Sequence, residues 1–135
     1  MTAGAVTTAQ VVYLDTSAAV KLISDERESD GLRRYLDDGP TVVSSDLLET
    51  ELRRIGVRHG IDQVLITAIL DGVTLTPLRR EQFREAGLYP QESLRILDSL
   101  HLAGALGVEA SAILTYDVRL AEAARAHGLD VAAPE

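Results

Sequence analysis

The chain has 135 residues, 46% of them hydrophobic, which suits one domain with a real core and does not suit a disordered chain. Cysteine is absent and the three histidines are scattered, so disulfides, thiolate metal sites and a His-rich zinc site are set aside. With 21 acids against 13 bases the net charge is −8, which argues against a simple electrostatic nucleic-acid binder and permits a cation site made of carboxylates.

Residues 1–9 have neither the basic region nor the apolar core of a secretory signal and read as a flexible leader before a single domain spanning 10–135. "VVYL" (11–14) is a strand that stops at Asp15, after which "TSAAV" opens a helix. "ESDGLRRYLDD" is helical and ends at Gly39-Pro40, a stop signal. "TVVS" (41–44) is a second strand. A helix over 45–60 follows, capped by Ser45 or Asp46, then a helix over 61–72. "GVTLTPL" (72–78) is the third strand and "RREQFREAGLY" the next helix. "SLRILDSLHLAGALG" spans 93–107, "AILTY" (112–116) is the fourth strand, "DVRLAEAARAHG" runs from Asp117 to Gly128, and "LDVAA" (129–133) is the fifth strand. The strands are short, rich in Val, Ile, Leu and Thr, and mostly lack in–out alternation, as parallel strands covered on both faces do. The alternation of strands and helices predicts an α/β fold: a central parallel sheet of about five strands with helices on both sides. Such sheets bind ligands at the carboxyl ends of their strands, where the strand order reverses. No apolar run is long enough to cross a membrane, and the lack of cysteine fits a reducing compartment, so the chain is expected in the cytoplasm.

Four carboxylates stand in costly places. Asp15 and Asp117 lie at the carboxyl ends of the first and fourth strands. Either is also a good helix cap, and one residue can do both jobs. In the helix over 45–60, Leu47, Leu48, Leu52 and Ile55 define an apolar arc at about 100° per residue, and Glu51 projects inside it. Glu49 falls outside the arc, four residues before Arg53, and reads as a surface ion pair. In the helix over 93–107, leucines, alanines and Ile96 cover nearly the whole circumference, so the helix is expected to be buried on most sides with Asp98 at its middle. The bland alternatives stay open: Glu51 at a rim or paired with an arginine, and Asp98 paired with Arg95. His101 reads first as a hydrogen-bonded structural histidine and second as a metal ligand. Oxygen-only clusters suit hard cations, Mg²⁺ or Mn²⁺. No P-loop, Cys or Ser nucleophile motif or glycine-rich dinucleotide loop is present.

These pieces resemble a PIN domain, specifically a small toxin ribonuclease of the VapC kind. The resemblance runs from about Val11 to the C-terminus through "YLDTSAAVKL", "SSDLLETELRR", "LRILDSLHLAGAL" and "ILTYDVRLAEAARAHGL", one acid in each. It implies a three-layer α/β/α fold whose first and fourth strands are neighbours. The family's acidic set maps onto Asp15, Glu51, Asp98 and Asp117. Asp15 and Asp98 would be the central metal ligands, with Glu51 and Asp117 completing the site directly or through water. Thr16, Ser17 and Thr115 match hydroxyl positions beside the metal. The resemblance further implies Mg²⁺- or Mn²⁺-dependent cleavage of RNA by activated water, leaving a 5′-phosphate and a 3′-hydroxyl. It also implies homodimers, and neutralisation by a cognate VapB-type antitoxin whose tail occupies the active-site groove. Twelve of the thirteen bases are arginines. Arg53, Arg54, Arg95 and Arg119 are nearest the acids in sequence and are the candidates for RNA-phosphate contacts. The extra leader before the first strand departs from many relatives.

Two other readings remain at this stage. Aspartyl-phosphate phosphatases and receiver domains also place an Asp after the first strand. The phosphatases usually have a second Asp where Ser17 stands, and receivers need a late lysine, whereas the only lysine is Lys21. A PIN-like binding module without activity would be marked by lost acids, yet all four are present.

Overall fold

The computed structural model describes residues 10–135; the leader expected over 1–9 lies outside them. The five strands form at the expected places: β1 (Val11–Leu14), β2 (Thr41–Ser45), β3 (Thr74–Thr76), β4 (Ala112–Leu114) and β5 (Asp130–Ala132). The helices are α1 (Thr16–Val20), α2 (Ser29–Asp37), α3 (Leu47–His59), α4 (Gln63–Asp71), α5 (Arg80–Gly87), α6 (Ile96–Gly107) and α7 (Val118–Ala126). All strand pairs are parallel, in the order β3-β2-β1-β4-β5. β1 and β4 are therefore neighbours at the point where the order reverses.

Alternation along β1 divides the core. Val12 and Leu14 join Ala18, Leu32, Leu48, Leu52, Ile66 and Leu114 on the face covered by α1 to α4. Tyr13 points to the opposite face, with Leu102, Ala105, Ile113, Leu120 and Ala124 of β4, α6 and α7. α5 packs on α6 through Ala86, Leu100 and Ala103. This is the three-layer α/β/α arrangement. No helix among the described residues is long and apolar enough to cross a membrane.

One expectation fails at α6. The helix begins at Ile96, with Arg95 as an extended N-cap residue, and not at Ser93. Ser93 looks like a cap in sequence, but residues 92 and 93 form a turn and Leu94 continues as a non-helical link. Asp98 is consequently in the first turn, where an acid is favoured by the helix dipole, and not mid-helix. Ile96 and Leu97 lie outside the core, at 80% and 44% exposure, so the first turn is not buried all round. The remainder, from Ser99 to Ala105, is buried as expected.

Leu52 is fully buried between α3 and the sheet. Leu52→Ala is expected to cost about 2–5 kcal/mol, read as a lower midpoint with unchanged slope in urea unfolding. A loss well under 1 kcal/mol would contradict this packing.

Candidate active site

The site grows from the register of β1 on β4. Leu14 stands opposite Leu114, and the Asp15 amide continues the ladder to the Leu114 carbonyl at 3.0 Å. Asp15 is therefore next to Thr115, and both leave the sheet at its carboxyl edge. Asp15 is only 3% exposed. Its Oδ2 accepts from Ser17 Oγ at 2.7 Å, from Thr115 Oγ1 at 2.8 Å and, more weakly, from the Ser17 amide at 3.3 Å. The cap contact is the longest of the three, so capping the five-residue α1 is the lesser of its tasks. Oδ1 has no hydrogen-bond partner among the described residues. Three donors on one oxygen fix the carboxylate and leave the other without a donor.

Thr115 and Ser17 extend this support. Their hydroxyls lie 3.2 Å apart, Ser17 Oγ accepts from the Tyr116 amide, and Thr115 Oγ1 accepts from the Asp117 amide. Asp117 caps α7 by accepting from the Leu120 amide at 3.1 Å through Oδ1. The strand-end acids thus both cap helices and share one hydroxyl-lined edge.

Asp98 comes from the first turn of α6. Its Oδ2 is buried with no hydrogen-bond partner. No ion pair joins it to Arg95, whose charge only tempers the local field. Burial first, then the negative charges of Asp117 and Asp15, push its pKa up to about 6. A buried carboxylate oxygen without a donor, facing two further acids, fits an oxygen-liganded divalent cation. Among the described residues no three acidic or imidazole side chains converge as a ready-made cage.

Glu51 projects from α3 toward this edge but is not paired with an arginine. Its Oε1 accepts from Thr16 Oγ1 at 3.1 Å and from His101 Nε2 at 2.6 Å. His101 is buried in α6 and hydrogen-bonded, as the first reading expected. Its Nδ1 lies 2.7 Å from the Tyr13 hydroxyl, which reaches Ser45 Oγ at 2.9 Å. Burial alone would lower the imidazole pKa; the Glu51 hydrogen bond and the charges of Asp15, Glu51 and Asp98 outweigh it and raise the pKa. Burial pushes the Tyr13 phenol up to about 12, so it remains a neutral hydroxyl. Tyr13 was not singled out from sequence, and Ser45 was read only as a possible cap of the next helix; it instead ends β2, and Asp46 stands at the N-cap of α3 without a side-chain cap hydrogen bond. The available signal was a lone phenol in an aliphatic strand and paired serines ending the next.

The arginines separate. Arg53 is held by Glu49, Gln63 and Thr67, so the expected surface pair with Glu49 forms and the guanidinium is engaged away from the acids. Arg54 lines a groove of about 390 Å³ with Leu47, Thr50, Glu51, Arg58 and Leu97. Arg95 and Arg119 are exposed at the N-termini of α6 and α7. Lys21 is bound to Glu26 and Glu28 and lies over the Tyr116 ring, which leaves it no receiver-type role.

A family model described as PIN domain matches residues 12–126. Two relatives from Mycobacterium tuberculosis, named Ribonuclease VapC35 and Ribonuclease VapC46, are each 41% identical to the chain. The alignments cover 92% and 91% of this chain and 97% of each relative. Among solved structures, VapBC2 from Rickettsia felis, bound to a DNA fragment from its promoter, superposes with a TM-score of 0.73. It is 16% identical, with 93% of this chain and all of that one covered. The Mycobacterium tuberculosis toxin VapC20, described as cleaving the sarcin-ricin loop, gives 0.70 at 14% identity, covering 83% of this chain and 94% of that one.

Asp98 carries a stability penalty at neutral pH. The folded Asp98 carboxyl holds its proton up to about pH 6, whereas its ordinary value is 3.8. Between those values the folded state binds more protons than the unfolded one, so stability falls as pH rises. Asp98→Asn is expected to raise the thermal midpoint in EDTA at about pH 7.5, with the gain shrinking toward about pH 4. A midpoint lowered at neutral pH in calorimetry would contradict the strain assigned to Asp98.

Proposed function

The chain belongs to the PIN-domain family, and on that premise we propose that it is a metal-dependent ribonuclease toxin that hydrolyses RNA phosphodiester bonds. The observation that carries the reading is the buried, donor-free Asp98 oxygen facing Asp15 and Asp117 at the switch point of the sheet. Asp15 and Asp98 are assigned as the central ligands of the cation, with Asp117 and Glu51 completing the site directly or through water. Mg²⁺ or Mn²⁺ held there would neutralise the phosphate, lower the pKa of water for in-line attack, and stabilise the leaving oxygen. The chain's own contribution is orientation. Ser17 and Thr115 hold Asp15 by one oxygen, and Thr16 and His101 hold Glu51 by one oxygen. Each acid keeps its second oxygen available. The product ends are a 5′-phosphate and a 3′-hydroxyl.

RNA approaches a chain of net charge −8, so the cations near the crevice matter. Arg54, Arg95 and Arg119 are assigned as phosphate contacts on the rim; Arg53 has its donors engaged elsewhere. The apolar and basic groove beside Glu51 is assigned to a segment of a VapB-type antitoxin. Support for that partner comes from the VapC names of the relatives and from VapBC2 among the fold neighbours. Val57, Val64 and Leu65, exposed on α3 and α4, offer an apolar face for a homodimer. The cytoplasm is proposed as the site of action.

Purified protein free of partner is expected to cut a structured RNA pool with Mg²⁺ or Mn²⁺ and not with chelator. Asp15→Asn and Asp98→Asn are each expected to lose at least about a hundredfold in rate while remaining folded. Equal cleavage by a folded Asp98→Asn protein would remove Asp98 from the site. Arg54→Ala is expected to weaken RNA binding and to reduce the slope of log affinity against log salt by roughly one. An unchanged slope would take Arg54 off the rim.

A further inference from the structure

His101 lies outside the four acids, yet it is tied into the framework of the site through both ring nitrogens. It comes from α6 and joins, through both ring nitrogens, side chains from β1 and α3. Nε2 stands 2.6 Å from Glu51 Oε1 and 3.9 Å from Asp15 Oδ1. A carboxylate only accepts, so Nε2 must carry a hydrogen whatever the state of the ring. That N–H is directed at Glu51; Thr16 Oγ1 lies 3.2 Å from the same nitrogen, and Asp15 Oδ1 is close enough to feel its charge but beyond hydrogen-bond reach.

The other side of the ring is fixed as firmly. Nδ1 meets the Tyr13 hydroxyl, which ends on Ser45 Oγ at the end of β2, and the Tyr13 and His101 rings pack edge to face at 5.7 Å. Gly104, one turn after His101, makes room for this. A Cβ there would sit 2.9 Å from the Tyr13 hydroxyl and 3.1 Å from its ring. Tyr13, Ser45 and His101 are all buried, against a layer built mainly from leucine, alanine, valine and isoleucine. Buried polar chains add little net stability over apolar packing, so their use here calls for a role in geometry.

We propose that His101, held by Tyr13 and Ser45, is a positioning residue that pins Glu51 by Oε1 and sets its spacing from Asp15, leaving Oε2 as the oxygen Glu51 offers to the cation or its water. This rests on the metal-site reading above and deepens it. Thr16 Oγ1 shares Oε1 but hangs from a short helix, whereas the His101 arm is anchored through the sheet. Losing the arm would let two like-charged carboxylates separate and cost the site its preorganisation.

The test is a double-mutant cycle on Mn²⁺ affinity, followed by the electron paramagnetic resonance of free Mn²⁺ with the full chain. His101→Leu and Glu51→Gln are each expected to weaken binding roughly tenfold. The double variant is expected to be no weaker than the worse single, because His101 acts through Glu51. His101→Gln, which restores an N–H near the Nε2 position, is expected to recover part of the loss. Losses that multiply in the double variant, or wild-type affinity in His101→Leu, would overturn the positioning role. If His101→Leu does not fold, Tyr13→Phe replaces it, with the same non-additivity against Glu51→Gln expected and additivity overturning the proposal. Failure of the wild-type protein to bind Mn²⁺ would remove the metal-site reading together with this one. Tight wild-type binding with an additive cycle would remove this one alone.

Discussion

The parallel register that sets Leu14 against Leu114 brings together two stretches of chain a hundred residues apart. Asp15 and Thr115 follow as neighbours, and Asp117 follows two residues on. Everything else in the site is arranged around that edge. α1 and α7 start there, so both strand-end acids cap helices while facing the same crevice. α3 starts at the end of the adjacent β2 and carries Glu51 one turn in. α6, packed across the opposite face, supplies Asp98 from its first turn and His101 from its second. The chemistry is thus a consequence of strand order, since only the switch between β1 and β4 opens a crevice between these elements.

Holding acids together without a cation is unfavourable, and the structure handles each one differently. Asp15 and Glu51 each receive donors on one oxygen. Asp98 receives none and responds by a raised pKa. A site left partly unsatisfied in this way is held by the packing around it, in particular by the buried stretch from Ser99 to Ala105. No arginine pairs with Asp98; one placed there would satisfy it and close the place proposed for a cation.

Much of this was legible in the sequence because it depends on local pattern. The five strands are short apolar runs bounded by turn residues, and Asp15 and Asp117 are visible as acids that end two of them. Glu51 shows by falling within the arc of Leu47, Leu48 and Leu52. The start of α6 was not legible. Ser93 and Leu94 imitate a cap and a first core residue, while the true boundary at Arg95 has no side-chain cap to announce it. The exposure of Ile96 and Leu97 depends on how α6 leaves the sheet and not on hydropathy. The Ser45–Tyr13–His101–Glu51 chain was hidden for a similar reason: its links span 32, 88 and 50 residues, and no periodicity reports contacts at such separations. The engagement of Arg53 by Gln63 and Thr67 likewise needed the packing of α4 on α3.

The most direct test of the central claim is a crystal structure grown with Mn²⁺ and measured at a wavelength where manganese scatters anomalously. The account requires an anomalous peak between Asp15 and Asp98, with Asp15 bound through the oxygen that Ser17 and Thr115 leave free. Glu51 should remain on His101 and reach the ion directly or through water. Bound manganese elsewhere, with the Asp98 oxygen still buried and alone, would contradict it.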